Sequence, residues 1–99
     1  MRANLQQACL IGVDLRGAMM QGVILHGADL RNFNLEGSNM QGANLEGANM
    51  EGAILIRSNL KGANLWEANL RFADLHLANL RDANIHRANM EGVRGEYLR

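Results

Sequence analysis

Large aliphatic residues recur at every fifth position from Leu5 to Met90 without a slip of frame, eighteen positions in all. Two residues before each stands a small side chain: thirteen alanines, two serines (Ser38, Ser58), two valines (Val13, Val23) and one misfit, Phe33. The residue between them is Asn or Asp in fourteen pentads, the exceptions being Cys9, Met19, Ile24 and Ile54. A mostly polar residue follows the aliphatic one. The fifth position then holds ten of the eleven glycines.

A step of five residues turns an α-helix by about 500°, so the aliphatic positions would wander around its axis without forming a face. On a straight strand an odd period throws successive leucines to opposite faces. The pattern is consistent only if the small and aliphatic residues point inward, the Asn/Asp and variable residues point outward, and a corner resets the phase. Glycine suits the third position of a type II turn, which needs positive φ. Each pentad is thus predicted to be a short extended piece plus a turn. Since one pentad cannot bury its own leucine, the pentads must coil and stack.

Stretches such as Ala43-Asn44-Leu45-Glu46-Gly47 and Ala63-Asn64-Leu65 resemble the pentapeptide repeat family, and the resemblance extends from residue 3 to residue 92. It implies an all-β fold, a right-handed quadrilateral β-helix with four pentads per coil. The repeats would then make about four and a half coils and, at about 4.8 Å per coil, a rod of roughly 22 Å. Residues 93–99 form a tail in which Gly95 ends the frame, and Tyr97 or Leu98 is expected to fold over the last coil as a partial cap.

On a twenty-residue coil, residues twenty apart become vertical neighbours. Arg31, Glu51, Arg71 and Glu91 then alternate in sign up one column and are expected to pair. Columns such as Asn44, Asn64, Asn84 are expected to hydrogen-bond amide to amide. Any functional signal should lie where the pattern breaks. Glycine gives way at the corners to Arg57, Glu67, Phe72, Leu77, Asp82 and Arg87, which predicts a change of turn type toward the C-terminus. Phe33, too large for an alanine position, is expected to make a bulge or flip outward beside Asn32. Trp66, Phe72 and Leu77, in three consecutive pentads, and Ile54 and Ile56, flanking Leu55, form the candidate interaction surface.

Ten basic and ten acidic residues cancel, and the pI is near 6.8. The chain therefore lacks the overall charge that nucleic-acid binding calls for. No apolar run is long enough for a membrane span or a signal peptide, which leads to the expectation of a cytoplasmic protein with no membrane partner. Cys9 is the single cysteine and cannot form an internal disulfide. His26 and His86 share a column three coils apart, roughly 14 Å, and His76 lies on another side, so they do not make a metal site. No catalytic constellation or cofactor motif is present, and a convex rod offers no cleft for one.

Two functions remain. The first is a non-catalytic structural or interaction module with a protein partner. Self-association is expected through the bare edge at Ala3 or the C-terminal coil, unless the chain is part of a longer protein. The second is implied by the resemblance: some family members imitate duplex DNA and protect DNA gyrase. Zero net charge and a short rod argue against that activity. The resemblance also implies a bacterial, cyanobacterial source.

Overall fold

The backbone hydrogen bonds of a single pentad account for the whole architecture. In Ala43-Asn44-Leu45-Glu46-Gly47, the Ala43 N–H closes a turn onto the carbonyl of Met40 at 3.0 Å. Asn44 donates to Val23 of the coil before (2.9 Å), and Leu45 and Gly47 donate to Asn64 and Trp66 of the coil after (2.7 and 2.9 Å). The remaining N–H, that of Glu46, faces outward and is taken by the Asn44 side chain, whose Oδ1 lies 3.1 Å away. All five donors are satisfied, as a buried or half-buried backbone requires.

That count explains the Asn/Asp position. From Asp14 onward every Asn or Asp there accepts the N–H two residues later, as in Asn59 to Lys61 (3.0 Å), Asp74 to His76 (3.1 Å) and Asn89 to Glu91 (3.1 Å). These are Asx turns, which a short carbonyl-bearing side chain makes with little loss of entropy. The expected vertical amide ladder is a minor theme: Asn69 Nδ2 donates to Asn49 Oδ1 at 3.2 Å.

The computed structural model describes Asn4 and residues 14–99. Single-residue parallel bridges join positions twenty apart along four sides. The first side carries Ile24, Asn44, Asn64 and Asn84, and the second Asp29, Asn49, Asn69 and Asn89. The third carries Asp14, Asn34, Ile54, Asp74 and Arg94, and the fourth Met19, Asn39, Asn59, Asn79 and Leu98. Extents of 29 × 24 × 19 Å describe a short stub and not an elongated rod. Cys9 and the edge at Ala3 lie outside the described residues.

Inward columns of leucine or methionine and alanine are fully buried from Val23 to Ala78. Burying each leucine side chain stabilises the fold by about 1.5–3 kcal/mol. Phe33 is part of this core, with 0% of its surface exposed. The expected bulge or outward flip does not occur, because Phe33 keeps both its turn bond to Leu30 (3.1 Å) and its ladder bond from Ile54 (2.7 Å). Its column continues with the small Ala53 and Ala73, and a buried ring outweighs the bonds a bulge would break. Two serines stand in one alanine column. Ser58 Oγ donates to the Leu55 carbonyl at 2.8 Å, whereas buried Ser38 Oγ has no hydrogen-bond partner.

The corners also depart from expectation. Every fifth position from Gly17 to Gly92 has positive φ, whether glycine (Gly47, +65°) or not (Arg57, +57°; Phe72, +62°; Leu77, +61°). Each also keeps its turn hydrogen bond, such as Ala78 N–H to the Leu75 carbonyl at 2.9 Å. Turn type therefore does not change toward the C-terminus. The ladder fixes the geometry: the Phe72 N–H must meet the Glu91 carbonyl (2.9 Å) just as the Gly52 N–H meets that of Arg71 (2.8 Å).

The tail continues the coil, and Tyr97 packs back against the core, half-buried. Arg94 bridges to Asp74, and Leu98 bridges to Asn79 nineteen residues earlier, so the tail lengthens the third and fourth sides with one residue fewer per coil. Ala83, Ile85, Met90 and Val93, the inward residues of the last coil, are only partly buried.

Candidate interaction surface

The residues that break the repeat are not gathered in one place. Trp66 is half-buried on the first side, with the Arg87 guanidinium 5.8 Å above its ring and Arg87 itself 3.2 Å from Glu67. Phe72 occupies the corner between the second and third sides, 49% exposed. Its ring has Arg71 at 5.1 Å on one face and covers Gly92, where a Cβ would run into the ring. Both aromatics are thus engaged within the chain by cation–π contacts.

Leu77 differs. It stands at the corner between the third and fourth sides, 52% exposed. It lines an open groove of about 230 Å³ with Glu96, Tyr97 and Leu98, and Leu98 is 46% exposed. Ile54 and Ile56 lie half-buried on the third side, one coil below. Leu98, expected over the end of the rod, is instead a surface residue, whereas Tyr97 is half-buried against the core. The one-residue shortening that turns Leu98 outward on the fourth side has no signal in the pattern apart from Gly95.

Charge sharpens the distinction. On the second side Arg71 bridges two coils, with its Nε 2.9 Å from Glu91 and its Nη1 3.5 Å from Glu51. Arg31, in the same column, is held sideways by Asp29 at 2.7 Å. Arg16 holds Asp14 in the same way (2.7 Å), Arg57 reaches Glu36 (3.9 Å), and His26 lies 3.7 Å from Glu46. The hydrogen bonds from Arg16 and Arg31 hold the Asp14 and Asp29 carboxyls below the usual carboxylate range, and Asp14 in turn raises the pKa of Arg16.

Among the described residues, the charges left without an ion pair are Lys61, Asp74, Arg81, Asp82, Arg94, Glu96 and Arg99. All lie on the third or fourth side or the corners bounding them, in the C-terminal half, around Leu77. Arg99 stacks on the Tyr97 ring at 5.3 Å. No three metal-ligating side chains converge among the described residues, and no helix there is long and apolar enough to cross a membrane.

The family model for pentapeptide repeats matches in eight copies, over residues 1–37, 34–66 and 58–94. Among solved structures, HetL, a pentapeptide repeat protein involved in heterocyst differentiation regulation from the cyanobacterium Nostoc sp. strain PCC 7120, is 31% identical with a TM-score of 0.78. The match covers 93% of this chain and 46% of HetL, so the chain spans a little under half of that protein's length. Rfr23, a pentapeptide repeat protein from the cyanobacterium Cyanothece 51142, is 27% identical over 97% of this chain and 87% of its own, with a TM-score of 0.51. QnrB1, a plasmid-mediated fluoroquinolone resistance protein, shares the fold at 18% identity, with a TM-score of 0.66 over 86% of this chain and 49% of its own. No curated protein sequence matches the chain.

Proposed function

Because the chain belongs to the pentapeptide repeat family and has its right-handed quadrilateral β-helix, we propose that it is a non-catalytic protein-interaction module. Its contact surface is the corner between the third and fourth sides of the C-terminal coils. The observation that carries this reading is the coincidence there of exposed Leu77 and Leu98 with charges that have no ion pair among the described residues. Elsewhere the described ionised side chains are paired, and the aromatics are covered by arginines.

Leu77 also holds a left-handed conformation that costs a leucine about 1–2 kcal/mol relative to glycine. The inter-coil ladder holds it there, the Leu77 N–H meeting the Glu96 carbonyl at 2.7 Å, and leaves the side chain projecting from the corner. Imitation of duplex DNA is disfavoured, since Arg71 sits between Glu51 and Glu91 and breaks the acidic stripe such mimicry needs.

A photo-crosslinking residue at position 77 should give protein adducts in extracts, while one at position 46 on the first side should not. Equal labelling from both positions would refute the assignment of the surface. In a gyrase supercoiling assay with a quinolone, the chain should give no protection at micromolar concentration.

A further inference from the structure

The corner surface has a self-complementary layout. On its fourth-side flank stand Lys61 and Arg81, one coil apart, neither with a carboxylate partner in the described chain. On its third-side flank stand Asp74 and Glu96, also without a cation partner, with Arg94 between them in sequence. Leu77 and Tyr97 occupy the corner itself, and Leu98 lies at the edge of the fourth side.

We propose that the occupant of this surface is a second copy of the chain, docked corner to corner about a twofold axis parallel to the helix axis. This rests on the reading of the corner as the contact surface and names its partner.

Geometry selects that axis. Rotation by 180° about a line parallel to the rod exchanges left and right flanks but leaves height unchanged. The third side of one copy then faces the fourth side of the other. Arg81 follows Asp74 and precedes Glu96 along the rising coil, so its height lies between theirs. Arg81 of each copy therefore comes level with the acidic flank opposite, and Lys61 lies below it. The leucines at positions 77 and 98 meet near the axis. A twofold axis perpendicular to the rod would instead set fourth side against fourth side, where Lys61 and Arg81 meet like charge. An isologous contact requires this kind of self-matching patch, with an apolar centre and a charged rim. Rim pairs of opposite sign fix the register and reject the like-charged arrangement.

The test is sedimentation equilibrium of the purified chain, with folding of every variant checked by circular dichroism. The wild type should dimerise reversibly, and dimerisation should weaken as salt is raised. Arg81→Glu alone and Glu96→Arg alone should each weaken the dimer at least tenfold, and Leu77→Asp should abolish it. The double variant Arg81→Glu, Glu96→Arg should restore association, because each swapped pair is again opposite in sign across the axis.

A wild type that stays monomeric up to about 1 mM, where association would be worth only about 4 kcal/mol, overturns the proposal. So does a dimer indifferent to both single charge variants, or a double variant no better than either single. If the chain is monomeric while crosslinking from position 77 still yields adducts with other proteins, the second copy is refuted and the corner remains the contact surface.

Discussion

Left-handed corners make a prediction whose size follows directly from the coordinates. Gly47 has φ +65°, and a Cβ built on it meets nothing within 4 Å. Gly47→Ala therefore incurs the conformational cost alone, about 1–2 kcal/mol. Alanine offsets about 0.4–1 kcal/mol of that by restricting the unfolded chain. The net loss should be about 1 kcal/mol, which in a domain of this size lowers Tm by roughly 4–8 °C. Arg57→Gly runs the opposite way. It relieves φ +57°, and the ion pair it removes, 3.9 Å long between exposed groups, contributes little. After the extra freedom that glycine gives the unfolded chain, the gain should be about 0.5 kcal/mol. Gly95→Ala should be the worst of the three, because its Cβ would lie 2.6 and 2.7 Å from the Cα and N of His76, backbone that cannot step aside. Urea unfolding followed by far-UV circular dichroism, with unchanged m-values, measures all three. A neutral Gly47→Ala or a destabilising Arg57→Gly would refute the claim that the ladder, not the residue type, sets corner geometry.

Three further predictions follow from hydrogen bonding and charge. Ser38→Ala removes a buried hydroxyl that has no partner and should stabilise the chain by about 1 kcal/mol in the same urea assay, whereas Ser58→Ala, which loses the bond to Leu55, should not. Asn59→Ala leaves the Lys61 N–H without its Asx acceptor and should cost about 1 kcal/mol, with Asn59→Asp retaining most of the stability and faster amide exchange at Lys61 in the alanine variant alone. Asp29 titrates below the usual carboxylate range because of Arg31, so its contribution is complete above the ordinary aspartate pKa and is lost as pH falls through the lowered value. The difference in urea midpoint between wild type and Asp29→Asn should therefore be present at about pH 6 and vanish toward about pH 2.

The period of five is legible because each pentad repeats one backbone solution, so Leu45 and Leu65 carry the same information about what is inside. Phe33 was misread because residue size alone does not show that a column thinned by Ala53 and Ala73 receives a ring. The corners were misread for a related reason. Arg57, Phe72 and Leu77 have intrinsic preferences against positive φ, but inter-coil hydrogen bonds override a local preference of about 1–2 kcal/mol. Leu77, Ile54 and Ile56 are legible as breaks in the repeat, and the structure leaves Leu77 exposed and the two isoleucines half-buried. The sequence could not show that Arg87 and Arg71 cover Trp66 and Phe72, since those contacts depend on side-chain reach between coils. Nor could it show the company Leu77 keeps, because the tail loses one residue before Leu98 joins the fourth side.

Docking of a second copy at this corner is tested most directly by amide chemical shifts of the uniformly labelled chain, recorded as it is concentrated from the micromolar range. The account predicts shifts that move together with concentration at Lys61, Leu77, Arg81 and residues 96–98, with Glu46, Trp66 and Phe72 unchanged. Shifts centred on Trp66 or Phe72, or spectra unaltered throughout, would contradict it.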